Sequence, residues 1–338
     1  MMNTKRWIAL VAAAVLLFFS LGLNTIMAVF TTDFFSSFES AFDVTESIAY
    51  ETPIEYGDMD NRIALVTVEG TILDVGSGSL WEEVQYNHQG FMTQLDTILN
   101  DDTVKGVVLE VNSPGGGVIE SAEIYEKLVQ IKEQREIPIY VSMGTYAASG
   151  GYYIAAPADK IFAQKETITG SIGVIMQAIN YEELAEKVGI KFETIKSGQH
   201  KDMLGGSRAS TEEEKAMLQE IIDESYEDFV DVIEQGRGMT EAEVKAVADG
   251  RILGGTQAVR AGLVDDIGKL DDTIAALRAD YGLEDAQLFE YTTTNDSLGS
   301  LLGVKISSLF GPSQEEQLMQ KILSTSNSPR MMYLYGEY

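Results

Sequence analysis

The chain has 338 residues, of which 45% are hydrophobic and 23% charged, as in an ordinary globular protein. The formal net charge of −29 argues against a nucleic-acid partner, because binding phosphates requires a basic surface. Cysteine is absent, which excludes a disulfide framework, a thiolate zinc site and a cysteine nucleophile. Only two histidines are present, His88 and His200, too few for a three-histidine metal site. The sequence therefore predicts neither a metal site nor a cofactor.

The amino terminus has the composition of a membrane anchor. Lys5 and Arg6 end a short tail, residues 1–6, and residues 7–30 carry no charge. As a helix this run would reach roughly 36 Å, which is enough to cross a bilayer. The two cations predict a cytoplasmic tail and place the rest of the chain outside the cell membrane. A cleaved signal peptide is the alternative, but the run is long for one and no clear Ala-x-Ala site precedes Asp33.

Residues 31–60 are interpreted as a connector, in which four phenylalanines could line one face of a short helix at the lipid headgroups. A stalk packed on a neighbour is the alternative for the same residues. The four phenylalanines are Phe34, Phe35, Phe38 and Phe42. A catalytic domain is predicted at 61–295 and a tail at 296–338.

Strands and helices alternate from Arg62 onward. Predicted strands lie at 63–72, 104–114, 137–144, 160–164, 191–198 and 286–291. Predicted helices lie at 91–101, 118–134, after Ser149 to about Ala156, and at 181–188, 211–236, 241–249, 255–261 and 271–281. Near-continuous apolar strands separated by such helices predict an α/β fold with a parallel sheet and right-handed crossovers.

A glycine run, Gly115-Gly116-Gly117, follows the strand that ends near Pro114. Its backbone amides could point outward beside a positive helix terminus and hold a phosphate, a carboxylate or the oxyanion of a tetrahedral intermediate. No Gly-Lys-Ser/Thr follows, so the run is not a Walker loop. A simple tight turn explains it equally well.

Ser149 lies at a second corner between a strand and a helix, in "YAASGGYY". The small residues around it would leave the hydroxyl accessible to a peptide backbone. A helix cap is the alternative role. A nucleophilic serine needs a base: His88 is expected to be a surface residue, whereas His200 and Lys201 compete for the role in "KSGQHKDML". Lysine can serve only when burial lowers its pKa by roughly three units, and a solvated surface lysine is the alternative.

Three motifs together resemble one family. "VNSPGGGVIESAEIY", "MGTYAASGGYYIAAPADKIFAQKETITGSIGVI" and "FETIKSGQHKDM" are similar, in this order and spacing, to signal peptide peptidase A of the short, single-repeat bacterial form. The similarity extends over about residues 60–290, the length of a full domain. It implies a Clp/crotonase-like fold of repeated ββα units and a protease with a serine-lysine dyad.

The resemblance also implies roles for individual residues. Ser149 corresponds to the nucleophile and Lys201 to the general base. The amide of Gly116 corresponds to the oxyanion donor, with Gly150 as a second donor, and Ser171 to a residue that orients the lysine. Because this chain has one repeat, the resemblance implies that Ser149 meets Lys201 of an adjacent protomer in a ring or dome.

Acyl transfer to Ser149 follows as the expected chemistry, with cleaved signal peptides as the substrates that the family implies. Extended peptides would pair along a glycine-rich edge. Three alternatives stay open: a crotonase-type acyl-CoA enzyme, a non-enzymatic membrane scaffold, and a protease with a narrower external target, such as a lantibiotic or a membrane protein.

The end of the chain, "SPRMMYLYGEY" at 328–338, is apolar and strand-like after Pro329. It could occupy a peptide groove as an inhibitor from the same chain or from a neighbour. A disordered or interface-packing end is the alternative.

Overall fold

The computed structural model describes residues 49–74, 86–293 and 330–336. The strands are β1 (Ala49–Glu55), β2 (Asp58–Glu69), β3 (Val104–Ser113), β4 (Gly115–Gly117), β5 (Ile139–Ala148), β6 (Lys160–Ala163), β7 (Ile168–Gly170), β8 (Ile175–Met176), β9 (Ile252–Gly254), β10 (Asp266–Ile267), β11 (Ala286–Thr293) and β12 (Met331–Leu334). The helices are α1 (His88–Asn100), α2 (Val118–Arg135), α3 (Gly150–Ala155), α4 (Glu182–Lys187), α5 (Glu212–Arg237), α6 (Glu241–Lys245), α7 (Gly255–Arg260) and α8 (Leu270–Tyr281).

A nine-stranded, mostly parallel sheet organises the fold in the order β1-β11-β2-β3-β5-β6-β10, with β7 paired to β5 and to β9. Only the β1–β11 and β7–β9 pairs are antiparallel in this sheet. A second sheet of three strands has the order β4-β12-β8. The predicted α/β class with a largely parallel sheet is confirmed.

Apolar side chains cover both faces of the large sheet, as parallel sheets require. Along β2, Ala64, Val66 and Val68 face the core under α1 and α2. The alternate residues Ile63 and Leu65 face the core under α8. Period-two alternation along one strand therefore supplies two cores.

Most predicted elements form within a few residues of their expected ends. β5 continues four residues beyond the predicted strand because Ala147 and Ala148 pair with Thr169 and Gly170 of β7. The predicted strand at 191–198 is wrong: these residues are exposed and pair with no described strand. An isolated extended segment without a partner ladder is not stable as a strand.

The predicted anchor at 7–30 lies outside the described residues. No helix in the described ranges is both long and apolar enough to cross a membrane. The large sheet begins at Ala49, within the segment interpreted as a connector, because β1 pairs with β11.

Parallel strands β3, β5 and β7 end side by side at one edge of the sheet. In their registers, Ser113 lies opposite Ala147, and Ala148 lies opposite Gly170. The chain leaves these strands at Pro114, Ser149 and Ser171, so three of the predicted functional segments meet at one edge. Ligand sites in open α/β sheets occur at this carboxyl edge.

Candidate active site

Ser149 stands in a strained backbone conformation between β5 and α3. Its φ of 55° and ψ of −118° lie in a region that non-glycine residues rarely adopt. The surrounding chain holds the corner: the Ser149 amide donates to the Gly170 carbonyl at 2.8 Å, and its carbonyl accepts the amides of Tyr152 and Tyr153. Such strain persists only where neighbouring contacts over-determine the conformation, and it is common at functional sites.

The Ser149 hydroxyl is buried and unpaired. The residue is 1% exposed, and its Oγ has no hydrogen-bond partner among the described residues. It does not cap α3, because the helix start shows no side-chain cap bond. The cap interpretation is therefore wrong. An unsatisfied buried hydroxyl costs about 1–3 kcal/mol, so the Ser149 hydroxyl is available to an added partner.

Glycine is required on the helix side of Ser149. A Cβ on Gly150 would stand 2.6 Å from Ser121 Oγ and 3.0 Å from the Gly116 amide nitrogen. A Cβ on Gly151 would stand 2.7 Å from the Ser113 carbonyl oxygen. The contacts at 2.6 and 2.7 Å are shorter than side-chain carbon atoms allow, and the one at 3.0 Å is tight, so the glycines let the Ser149 and Gly116 corners approach each other.

The glycine run forms the short strand β4, which is held from behind by Ile72. The Ile72 amide donates to the Gly115 carbonyl at 2.9 Å, and the Gly117 amide donates to the Ile72 carbonyl at 2.8 Å. A Cβ on Gly116 would overlap the Ile72 carbonyl. Gly115 also has a φ of 101°, which favours glycine. The segment is therefore more than a tight turn, because it forms a strand with an edge that can pair.

The carboxyl-terminal strand β12 pairs with that edge. It runs antiparallel to β4, with Tyr333 opposite Gly116, and on its other side it pairs with β8. The Tyr335 amide donates to the Pro114 carbonyl at 2.8 Å. Because hydrogen-bonded pairs alternate along an antiparallel ladder, Tyr333 and Gly116 form the next such pair. This register directs the Gly116 amide toward the Tyr333 carbonyl.

That carbonyl also lies beside the Ser149 corner. The Tyr333 carbonyl oxygen is 3.1 Å from the position that a Cβ on Gly150 would occupy. The strand therefore presents a peptide carbonyl between the glycine edge and the first residue after Ser149.

The Tyr333 side chain fills an aromatic pocket between α3 and α5. The residue is 1% exposed, and its ring stacks on Tyr153 at 5.0 Å and contacts Phe229 at 4.7 Å between centroids. Its hydroxyl donates to the Ser225 carbonyl at 2.8 Å. Burial raises the pKa of Tyr333, so the phenol stays protonated as a donor.

Sequence reasoning missed this pocket. Tyr153 and Phe229 lie on separate helices, and in sequence they resemble ordinary core residues. The one signal in the sequence was the pair Tyr152-Tyr153 shortly after Ser149.

Ser171 lies next to Ser149 across the β5–β7 pair. Its φ is 50°, and its amide donates to the Arg251 carbonyl at 2.7 Å. The fold therefore brings together Ser149, Gly116, Gly150 and Ser171.

Lys201 lies apart from this group in an exposed turn of its own chain. Its amide donates to the Gly198 carbonyl at 3.3 Å. Among the described residues, no hydrogen bond or ion pair joins its ammonium to Ser149 or to any other group. One chain by itself therefore leaves the proposed base solvated.

Neither histidine bonds to Ser149 in the described part of the chain. His88 is buried rather than on the surface as expected: Nδ1 lies 2.8 Å from the Tyr86 hydroxyl and Nε2 2.7 Å from Glu123. His200 lies 3.4 Å from the Glu214 carboxylate. A Ser-His-Asp arrangement within the chain is not formed by these residues.

Known proteins are similar to this chain in sequence. The profile of peptidase family S49 matches residues 131–284, a range that includes Ser149, Ser171 and Lys201. A protein of Enterococcus faecium described as "Putative signal peptide peptidase SppA" is 43% identical, with 99% of each chain covered. "Protease 4" of Haemophilus influenzae is 32% identical over 83% of this chain and 48% of its own length. "Serine protease SPPA, chloroplastic" of Arabidopsis thaliana is 29% identical over 72% of this chain and 35% of its own.

The fold, the buried serine corner and these similarities agree. The chain belongs to peptidase family S49 and is a serine peptidase.

Proposed function

We propose that the chain is a membrane-anchored protease in which Ser149 is the nucleophile and Lys201 the general base. The observation that carries this proposal is the unpaired, buried Ser149 hydroxyl beside a glycine edge on which a peptide strand lies. A Clp/crotonase-like fold agrees with the ββα units that supply this edge. Residues 7–30 would anchor the catalytic domain outside the cytoplasmic membrane.

The proposed chemistry is acyl transfer. Neutral Lys201 removes the proton from Ser149 Oγ as this oxygen attacks the scissile carbonyl. The carbonyl oxygen becomes an oxyanion that the amide of Gly116, with that of Gly150, stabilises. The protonated lysine returns its proton to the leaving amine, and water then hydrolyses the acyl-enzyme. Ser171 is proposed to orient the lysine.

Lys201 would come from an adjacent protomer. Within its own chain it is solvated, whereas a base must lose its charge in a dry environment. The segment around it exposes many large apolar side chains, which is unusual for a monomer. They include Ile179, Leu184, Val188, Ile190, Phe192 and Ile195. A second copy packed on this segment would bury them and desolvate Lys201 together, consistent with a ring or dome.

Extended peptides are the proposed substrates. The pairing of β12 with β4 and β8 on both sides illustrates how a peptide backbone is held in this groove. A Met-Met-Tyr-Leu strand fits it, and apolar fragments of cleaved signal peptides have similar composition. The description of the Enterococcus faecium relative as a signal peptide peptidase points to the same substrates.

The tail at 296–338 is proposed to regulate access. Because β12 occupies the groove beside Ser149, the resting enzyme would exclude other peptides until the strand leaves. The buried side chains of Met332 and Tyr333 would have to leave their contacts.

The dyad is tested with full-length Ser149→Ala and Lys201→Ala variants and an internally quenched peptide. Both should lose at least about a hundredfold in kcat/KM. In the parent enzyme the rate should rise on the alkaline side as Lys201 deprotonates, because only the neutral amine accepts a proton. Labelling of Ser149 by a fluorophosphonate should follow the same pH dependence.

Lys191→Ala is the matched control, since Lys191 is an exposed lysine of the same segment. It should keep the parent rate. Full activity in Lys201→Ala would overturn the dyad, and full activity in Ser149→Ala would indicate a different nucleophile.

A further inference from the structure

The segment that carries Lys201 has no regular secondary structure. Residues 190–210 form neither helix nor strand, and 190–199 are exposed. A few turns in this segment are closed by backbone hydrogen bonds; in one of them the Met203 amide donates to the His200 carbonyl at 3.2 Å. A general base must be held within a fraction of an ångström of its proton donor. Backbone turns alone do not supply that rigidity, so we expect side-chain contacts to help fix this loop.

Arg208 is the centre of those side-chain contacts. Its Nη1 and Nη2 donate to the two carboxylate oxygens of Glu214 at 2.8 and 2.6 Å. Nη2 also donates to Asp202 Oδ1 at 2.5 Å. Asp202 directly follows Lys201 in the chain. One guanidinium therefore joins the lysine turn to the start of α5.

The α5 side of this clamp is rigid. Glu214 is 1% exposed and closes a capping box with Thr211, whose amide donates to the carboxylate at 2.9 Å. The Arg208 guanidinium is the largest cause that lowers the pKa of Glu214, to about 2. The carboxylate thus stays ionised at every pH at which the enzyme would work, and the clamp stays closed.

The same contacts neutralise a charge next to the base. An unpaired Asp202 carboxylate would stabilise the ammonium form of the adjacent lysine and raise its pKa. Arg208 and Lys196 both bind Asp202 Oδ1. The hydrogen bond from Arg208 lowers the pKa of Asp202 more than any other contact. Glu182 of α4 also faces this turn, because its carboxylate accepts the Ala209 amide. The other charged groups around the turn are Lys196, His200, Asp202, Arg208, Glu213 and Glu214.

We propose that Arg208 is a positioning residue for Lys201: it fixes the lysine turn on α5 and cancels the Asp202 charge that would keep the lysine protonated. This inference rests on the proposed role of Lys201 as base. It adds a residue outside the three motifs that carry the family resemblance.

The test measures the pH dependence of kcat and KM for full-length Arg208→Ala, Arg208→Lys and Arg208→Ala with Asp202→Asn. In Arg208→Ala the apparent pKa of the base should rise by about half to one unit, which lowers the rate at neutral pH roughly three- to tenfold with little change in KM. Arg208→Lys should restore the pKa but not the full kcat, since lysine lacks the two-pronged geometry. The double variant should return the pKa toward the parent value.

Lys245→Ala is the control, because Lys245 also bridges two carboxylates, Glu227 and Glu241, on another part of the surface. Its pH profile should match that of the parent. Asp202→Asn serves if Arg208→Ala does not fold: it should leave the pKa of the base unchanged or lower, and a higher pKa would contradict the proposal.

The two proposals fail separately. An Arg208→Ala enzyme with the parent profile, beside an inactive Lys201→Ala, would overturn the role of Arg208 alone. An active Lys201→Ala would overturn the dyad whatever Arg208 does.

Discussion

At the scale of single residues, the geometry of the candidate site depends on glycines, which have no Cβ atom. Gly116 and Gly150 are needed because atoms of Ile72, Ser121 and the facing peptide occupy the space of a Cβ. Ser149 and Ser171 carry side chains at positive φ, and the Ser149 hydroxyl has no hydrogen-bond partner within the described part of the chain. The corner thus keeps a hydroxyl at a position where glycine would be less strained.

Gly150→Ala should lower kcat by roughly ten- to a hundredfold, the range lost when an oxyanion donor is displaced. The added methyl group would stand 3.0 Å from the Gly116 nitrogen and push the two amides apart. Peptide hydrolysis measures kcat, and thermal unfolding measures whether the added methyl group also destabilises the fold. Gly254→Ala is the control, since its Cβ would meet only ordinary contacts at 3.6 Å and beyond. Equal rates in both variants would argue against an oxyanion site here.

At the scale of elements, β12 lies between two strand edges, with its Tyr333 carbonyl near Gly150. Three of its residues pair with β4 and two with β8, and the side chains of Met332 and Tyr333 are buried. A four-residue strand with two buried side chains has few apolar contacts to break, so it is displaced more easily than a strand of the core.

Truncation after Asn327 should therefore raise the rate on added peptide several-fold, and Tyr333→Ala should have a similar effect. Removal of a buried aromatic side chain costs about 3–5 kcal/mol of packing. Tyr335→Ala is the matched control, since Tyr335 is half-exposed and contacts Tyr146 at 6.3 Å between ring centroids. Initial rates with a quenched peptide decide the matter, and rates that stay at the parent level in both variants would refute self-inhibition.

At the scale of the whole molecule, one chain leaves Lys201 solvated and an apolar segment exposed. Both features have one explanation if protomers share each site. Isolated subunits would then lack a complete dyad, and activity would depend on assembly.

Co-expression of Ser149→Ala with Lys201→Ala tests this sharing. Each variant is inactive alone, but in a mixed ring about a quarter of the sites would join an intact serine to an intact lysine from the neighbour. Co-expressed enzyme should recover activity near that fraction, whereas the two purified variants mixed without exchange should not. No recovery in verified mixed oligomers would show that each site uses the serine and lysine of a single chain.

Much of this protein could be predicted from local patterns. The apolar runs of β2, β3 and β5 predict a buried parallel sheet, because such strands must be apolar on both faces. Small residues around Ser149 and the run at Gly115–Gly117 predict close backbone approach, which depends only on the missing Cβ atoms. The false strand at 191–198 shows the limit, since a strand needs a partner that local sequence does not reveal.

The sequence by itself determined the α/β class, the serine corner and the glycine edge, since periodicity and the absence of side chains are local properties. Tertiary structure decided the rest: that β12 pairs with β4, that Tyr153 and Phe229 enclose Tyr333, and that Arg208 joins Asp202 to Glu214. These contacts join residues from different elements, some of them far apart in sequence. Their distances depend on how the chain packs, which no local pattern encodes.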